Sequence, residues 1–425
     1  MRMKKIVAML MVLTLSLGVL TGCGGDDEGA VYYLNFKPEA DGAWQELAQK
    51  YTELTGVEVK VITAASGNYA ETLTAEMGKS SAPTLFQCSR QSELDVWEDY
   101  CYDLSNTSFA RELTSNDFNL YGKNGELFCV GYCYEAYGII TNKELLAEAG
   151  YRVEDIRNFA DLKRVAEDIT ARREELGFAA FTSAGLDPSS EWRFSGHLVN
   201  MPLFYEFRDN GVTKQPEAVT GAYLDNFKQI WDLYIQNATC RPAELATKTG
   251  DEAEAEFGRE QAVFYQNGSW EYSRLVEIYD MDREDLTMIP IYCGVPGEEN
   301  AGLCYGTENR FAVNGKAPQE DIDATLDFLH WLVTSDEGTT MLAEEFGPIP
   351  FENAKETENV FFADANTMLH DGKYPVNWVF DHTPNVSAWR SAFTSALLQY
   401  STGNGSWEDV ETAFVDGWAI QYRAQ

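Results

Sequence analysis

The order of apolar patterns in the first hundred residues constrains the fold more than any other feature of this chain. Val31–Phe36 is a run of β-formers. Trp44, Leu47, Ala48, Tyr51 and Leu54 then recur at helical spacing, and Gly56 is the residue at which such a helix stops. Val57–Thr63 is a β-branched strand, Tyr69–Lys79 a second helix, and Pro83 precedes a short strand at Thr84–Cys88. Strands that alternate with helices form a parallel sheet joined by crossovers. Ligands of such sheets bind beyond the carboxyl ends of the strands. Those ends are Asn35-Phe36-Lys37, Ala64–Tyr69 and Ser89-Arg90-Gln91, with Glu135 just past the later run Leu127–Tyr134. Phe36, Arg90 and Glu135 are therefore candidate ligand contacts.

The rest of the chain continues the mixture. Asn124-Gly125 predicts a hairpin turn into Leu127–Tyr134, followed by strand Tyr137–Thr141 and a helix over Lys143–Ala149. Asn158 with Asp161 marks a helix start, and Phe178–Ser183, Ala262–Tyr265, Leu286–Ile289 and Arg310–Val313 are further strands. Ser406 with Asp409 forms a capping box ahead of a C-terminal helix. The expected class is α/β, and 425 residues exceed what one small core organises, so two domains are expected.

The N-terminus carries an export pattern: basic Arg2, Lys4 and Lys5, an apolar run from Ile6 to Leu20, then Leu20-Thr21-Gly22-Cys23. That last motif resembles the lipobox of bacterial lipoproteins, which implies cleavage before Cys23 and lipid on its sulfur and new amino group. Residues 1–22 are thus expected to be a signal peptide and 23–30 a flexible tether, anchoring an extracytoplasmic protein to the membrane. The net charge of −36 argues against nucleic acid and anionic lipid as partners of the folded part.

Beyond Cys23 the cysteines are Cys88, Cys101, Cys129, Cys133, Cys240, Cys293 and Cys304. No CxxC occurs, so a zinc or redox centre is poorly supported, and an odd count leaves at least one thiol unpaired. Buried free thiols are expected to predominate.

Several segments, taken in order, resemble family 1 of the extracellular solute-binding proteins, the fold class of the maltose-binding protein. Tyr51–Val59 matches the family's helix-to-strand passage through Thr55-Gly56-Val57. Ala82-Pro83-Thr84-Leu85 matches its third strand, with Thr84 in place of the usual Asp. Tyr137–Leu146 matches its first crossover and following helix, with Thr141 where Tyr is common. Ala262–Trp270 matches its strand ending in G-x-W, and Phe328–Gly338 its paired helices. The resemblance covers nearly all of the chain beyond Cys23. It implies a two-lobe periplasmic-binding-protein-like fold of type II, hinged by crossover strands, with the ligand cleft between the lobes. Lobe one is expected at 31–138 plus 306–346, and lobe two at 139–305 plus 347–425. The function implied is the substrate-binding subunit of an ABC importer, working as a monomer with permease subunits as partners, without a cofactor and without catalysis.

Sugars offer hydroxyls around an apolar ring face, so their sites need aromatic platforms beside bidentate polar groups. Trp192 in Glu191-Trp192-Arg193, Trp270 in Asn267–Glu271, Glu308 and Asn309 ahead of Arg310–Val313, and Trp378 meet that description. Trp389 flanks the same Pro-containing stretch as Trp378. Trp44, Trp231, Trp331 and Trp418 fall on apolar helical faces and are expected in the core. The amide and aromatic mix points to a neutral sugar. A secreted carbohydrate-active hydrolase, which needs only two carboxylates, is the alternative, and iron, polyamine and peptide remain alternative solutes. No HExxH, P-loop, GxGxxG or GxSxG motif is present.

Overall fold

The computed structural model describes residues 29–425. The export segment, the lipobox, Cys23 and the tether as far as residue 28 lie outside them. Among the described residues no helix is long and apolar enough to cross a membrane.

The strands run β1 Val31–Asn35, β2 Val59–Thr63, β3 Leu85–Gln87, β4 Leu120–Tyr121, β5 Leu127–Gly131, β6 Glu135–Asn142, β7 Ala179–Phe181, β8 Ala262–Gly268, β9 Leu286–Ile289, β10 Ala301–Gly306, β11 Arg310–Val313 and β12 Tyr374–Asn377. They form two sheets. The first has the order β2-β1-β3-β11-β5-β4; the second has β12-β10-β6-β8-β7, with β9 also on β6. As expected from the alternating pattern, β1 pairs parallel with both β2 and β3. The Asn124-Gly125 turn joins antiparallel β4 and β5, with Gly125 at φ 93 where a side chain would be strained.

Helix Asp41–Thr55 shows how local sequence seats these layers. Trp44, Leu47, Ala48 and Tyr51 are buried, and Gly56 at φ 84 ends the helix by donating its N–H to the Thr52 carbonyl. Leu54 departs from the expected stripe and is 65% exposed. It lies in the last turn of the helix, where Glu53 and Thr55 are exposed as well. Beneath this helix the Tyr132 ring stacks on Phe311 at 3.9 Å, and Tyr33 meets Trp44 edge-on at 4.9 Å. The second sheet has a core of its own, in which helices Val386–Ser401 and Trp407–Arg423 bury Trp389, Phe393, Phe414 and Trp418.

The chain passes between the sheets three times. Tyr132–Tyr134 leads from β5 to β6, Thr307–Asn309 from β10 to β11, and the stretch after Phe346 leads to helix Val360–His370. The passages are tied together: Tyr132 N–H donates to the Asn309 carbonyl at 3.1 Å, and Tyr134 N–H to the Pro348 carbonyl at 3.0 Å. The first passage falls ahead of residue 138, because Glu135, Ala136 and Tyr137 already pair with β10. The third falls after residue 347, because Ile349 and Phe351 still pack in the first core.

All cysteines among the described residues are free thiols, buried except for the half-buried Cys101. Cys88, Cys101 and Cys129 gather behind β3 and β5, where hydrogen bonds from Cys129 and Cys88 hold the Cys101 thiol down at about 5.

Candidate functional site

A cavity of about 740 Å³ opens where the strand ends of the two sheets face each other. That volume suits a small organic ligand. Phe36, Lys37 and Arg90 reach it from the ends of β1 and β3, and Glu308 from the second passage. Glu135 enters at the start of β6, while Trp192, Trp270 and Trp378 come from the second sheet's side. The walls meet at the mouth: a Cβ on Gly67, at φ +77, would lie 2.8 Å from the Pro188 carbonyl oxygen.

Two of the tryptophans are placed by glycines at strand ends. A Cβ on Gly268 would strike the Trp270 ring at 2.2 Å, and one on Gly306 would strike Trp378 at 2.5 Å. Only glycine lets each indole lie against its strand end. Between them Trp192 and Trp270 have centroids 6.0 Å apart, and His197 stacks on Tyr137 at 4.2 Å. Trp192 and His197 belong to a buried turn held by Arg193, which donates to the Ser183 carbonyl at 2.9 Å and to Ser190 Oγ at 2.8 Å. Burial lowers the Arg193 guanidinium and holds His197 well below the ordinary imidazole value, so the imidazole is neutral.

The polar groups are arranged in pairs. Lys37 Nζ is 2.6 Å from Glu135 Oε1 and 3.4 Å from Glu39, and 4.9 Å from the Trp270 ring centroid. Burial alone would lower this ammonium, but Glu135 and Glu39 outweigh it and keep it charged. Arg90 donates to Glu308, has Glu93 3.1 Å from its Nε as an ion pair, and faces the Phe380 ring, while Nε and Nη1 make no hydrogen bond. Arg390 donates to Glu191 at 2.5 Å. Glu271 accepts from Asn267 Nδ2 at 2.7 Å through Oε1, while Oε2 has no partner. Burial, with Glu254 and Glu39 nearby, pushes its carboxyl up to about 8. Such a set can stack a ring on indole and engage neighbouring hydroxyls through carboxylates and guanidiniums. Among the described residues no group of three or more His, Cys, Asp or Glu is disposed to hold a metal ion.

Phe36, Arg90, Glu135, Trp192, Trp270, Glu308 and Trp378 thus come together around one cavity, from positions scattered over the sequence. Asn309 does not join them. It is fully buried in the second passage, where its N–H donates to Thr307 Oγ1 at 2.9 Å and its side chain accepts from Tyr132 at 3.4 Å. Its neighbour Glu308 points to the cavity; alternation along an extended chain sends Asn309 the other way. Trp389 is likewise removed from the site, buried between helices with its Nε1 donating to the Phe414 carbonyl. Lys37, His197, Glu271, Phe380 and Arg390 line the cavity without having been singled out from sequence. Lys37 follows Phe36 at a strand end and Glu271 follows Trp270, so adjacency was the available signal; for His197 and Arg390 there was none.

A family model described as bacterial extracellular solute-binding protein matches residues 46–368. No curated protein sequence matches the chain. Among solved structures, RafE in complex with raffinose is 17% identical over 93% of this chain and 99% of its own, with a TM-score of 0.74. A chitin oligosaccharide binding protein is 16% identical over 93% and 100%, with a TM-score of 0.70. The GacH receptor of Streptomyces glaucescens, solved unliganded and with acarbose, is 17% identical over 93% and 99%, with a TM-score of 0.67. At these identities the likeness establishes the two-lobe fold, and the family match spans most of the sequence. The chain belongs to the bacterial extracellular solute-binding protein family.

Proposed function

We propose that this protein is the substrate-binding subunit of an ABC importer, capturing a carbohydrate, an oligosaccharide, between its lobes and passing it unaltered to the permease. The observation that carries this reading is the cavity itself: Trp192, Trp270 and Trp378 surround a 740 Å³ space edged by carboxylates and guanidiniums from both sheets. The ligands of the similar structures, raffinose, chitin oligosaccharide and acarbose, favour the same class. Binding works by differential affinity: a ligand touching both walls favours the closed arrangement, which the permease then recognises. The lobes of this reading divide at the three linked passages. Lipid on Cys23 would hold a monomer close to its permease and raise its effective concentration.

One observation favours a second reading, a carbohydrate-active hydrolase. A buried carboxyl pushed up to about 8, as in Glu271, is protonated at neutral pH as a general acid must be. Its partner carboxylate is the weak point. Glu254 is held by both Arg274 donors, at 2.7 and 2.8 Å, and Glu39 and Glu135 are engaged by Lys37. A thermal-shift screen over mono- and oligosaccharides, with chromatography of the recovered sugar, separates the readings. A shift with intact sugar supports capture; cleavage products support hydrolysis.

A further inference from the structure

Glu271 is a buried acid of the cleft whose hydrogen bonding is incomplete, as is that of Arg90, His197 and Trp378. It is 8% exposed, lines the cavity, and leaves Oε2 without a donor. A buried polar atom without a partner is unfavourable unless a ligand supplies one. Glu254 and Glu39 lie near it, and Glu71 and Asp251 also line the cavity. The nearby cations are committed elsewhere. Arg274 gives both donors to Glu254, and Lys37 bonds to Glu135 and Glu39. Arg193, lying beneath, gives its donors to Ser183, Ser190 and Gln266 oxygens. Carboxylates therefore exceed cations here, and no cation donates to Glu271. The aromatic face at this end already attracts an ammonium, that of Lys37, 4.9 Å from the Trp270 centroid.

We propose that this end of the cleft receives a protonated primary amine, so that the captured carbohydrate is an amino-sugar oligosaccharide with a free amine rather than a neutral one. The inference rests on the carbohydrate reading above. Once ionised, Glu271 would accept from an ammonium through Oε2, and the added cation would offset the surplus of carboxylates. Elsewhere in the cavity Arg90 is paired to Glu308, with Nε and Nη1 left to donate, and Arg390 to Glu191, groups suited to sugar hydroxyls. A linear polyamine would meet the carboxylates and leave Trp378 and these arginines unused. Burial holds the Glu271 carboxyl protonated in the empty cleft at neutral pH. The carboxylate that meets an ammonium must lose that proton, so binding releases it to solvent.

The test is calorimetric titration of the purified protein at about pH 6, where the sugar amines are charged and the Glu271 carboxyl still holds its proton, with the β-1,4-glucosamine trisaccharide, its N-acetylated counterpart, maltotriose and spermidine. The free-amine trisaccharide is expected to bind roughly tenfold or more tightly than either other saccharide. Its heat should vary with the ionisation enthalpy of the buffer, as proton release requires. Glu271→Gln, which keeps the shape and the Asn267 contact, should collapse the ratio between aminated and acetylated sugars. Equal or tighter binding of the acetylated or neutral trisaccharide, or aminated binding without proton release, overturns the inference and leaves carbohydrate capture standing. Binding of spermidine alone, or of nothing in the set, overturns both.

Discussion

The Lys37 ammonium lies 2.6 Å from Glu135 Oε1, joining the end of the first sheet's β1 to the first residue of the second sheet's β6. Both side chains are nearly enclosed, at 10% and 3% exposure. Removing one partner of such a pair strands the other, so Glu135→Gln is expected to destabilise the protein by about 3 kcal/mol. Replacing both, Lys37→Met with Glu135→Met, should cost less than Glu135→Gln alone. Denaturant unfolding of the variants measures the difference.

Trp270 and Trp389 separate binding from packing. Trp270→Ala is expected to weaken saccharide binding by more than about 1 kcal/mol, the scale of an aromatic contact, with little change in the unfolding midpoint. Trp389, buried among Phe393, Phe414 and Trp418, should behave in the opposite way. Trp389→Ala is expected to lower stability by about 3–5 kcal/mol while binding persists in the folded fraction. Titration calorimetry and denaturant unfolding on both variants check the contrast.

Gly67 tests closure at the mouth. Its φ of +77 and the Pro188 carbonyl 2.8 Å from a modest Cβ leave no room for a side chain. Gly67→Val should hold the walls apart and lower affinity roughly tenfold, about 1.4 kcal/mol. The loss should appear mainly in the dissociation rate, measured by stopped-flow tryptophan fluorescence.

Glu271 gives stability a pH dependence of known sign. Its folded carboxyl is pushed up to about 8 from an ordinary 4.5, by burial first and then by Glu254 and Glu39. Between those values the folded chain holds a proton that the unfolded chain releases. The contribution is fully present below 4.5 and is lost as pH rises through about 8. Asp381 and Glu345, each pushed up to about 7 by burial, act in the same direction. Glu271→Gln removes only its own share. The Tm of the variant minus that of the wild type should therefore rise steadily across this window, as followed by calorimetry.

The sequence carried the fold further than the site. Periodic stretches such as Trp44–Tyr51 and the β-branched Val59–Thr63 read correctly because propensity, burial and capping agree there. The turn around Arg193–Leu198, a wide helical turn buried throughout, escaped notice because its conformation depends on contacts with Ser183 and Gln266, which are distant in sequence. The cavity residues near strand ends, Phe36 and Arg90, were legible from topology alone. Asn309 was misplaced because sequence could not show that the passage is extended and that neighbouring side chains point apart. Arg390 was hidden for a related reason: it shares a helix with core Trp389 but faces the cleft, and helical phase alone does not say which face meets a ligand.

Small-angle scattering of the purified protein, with and without the saccharide that gives the largest thermal shift, tests the central claim most directly. Capture between hinged lobes predicts a smaller radius of gyration at saturating ligand, with the sugar recovered intact afterwards. Identical scattering curves with bound ligand, or recovery of a cleaved sugar, would contradict it.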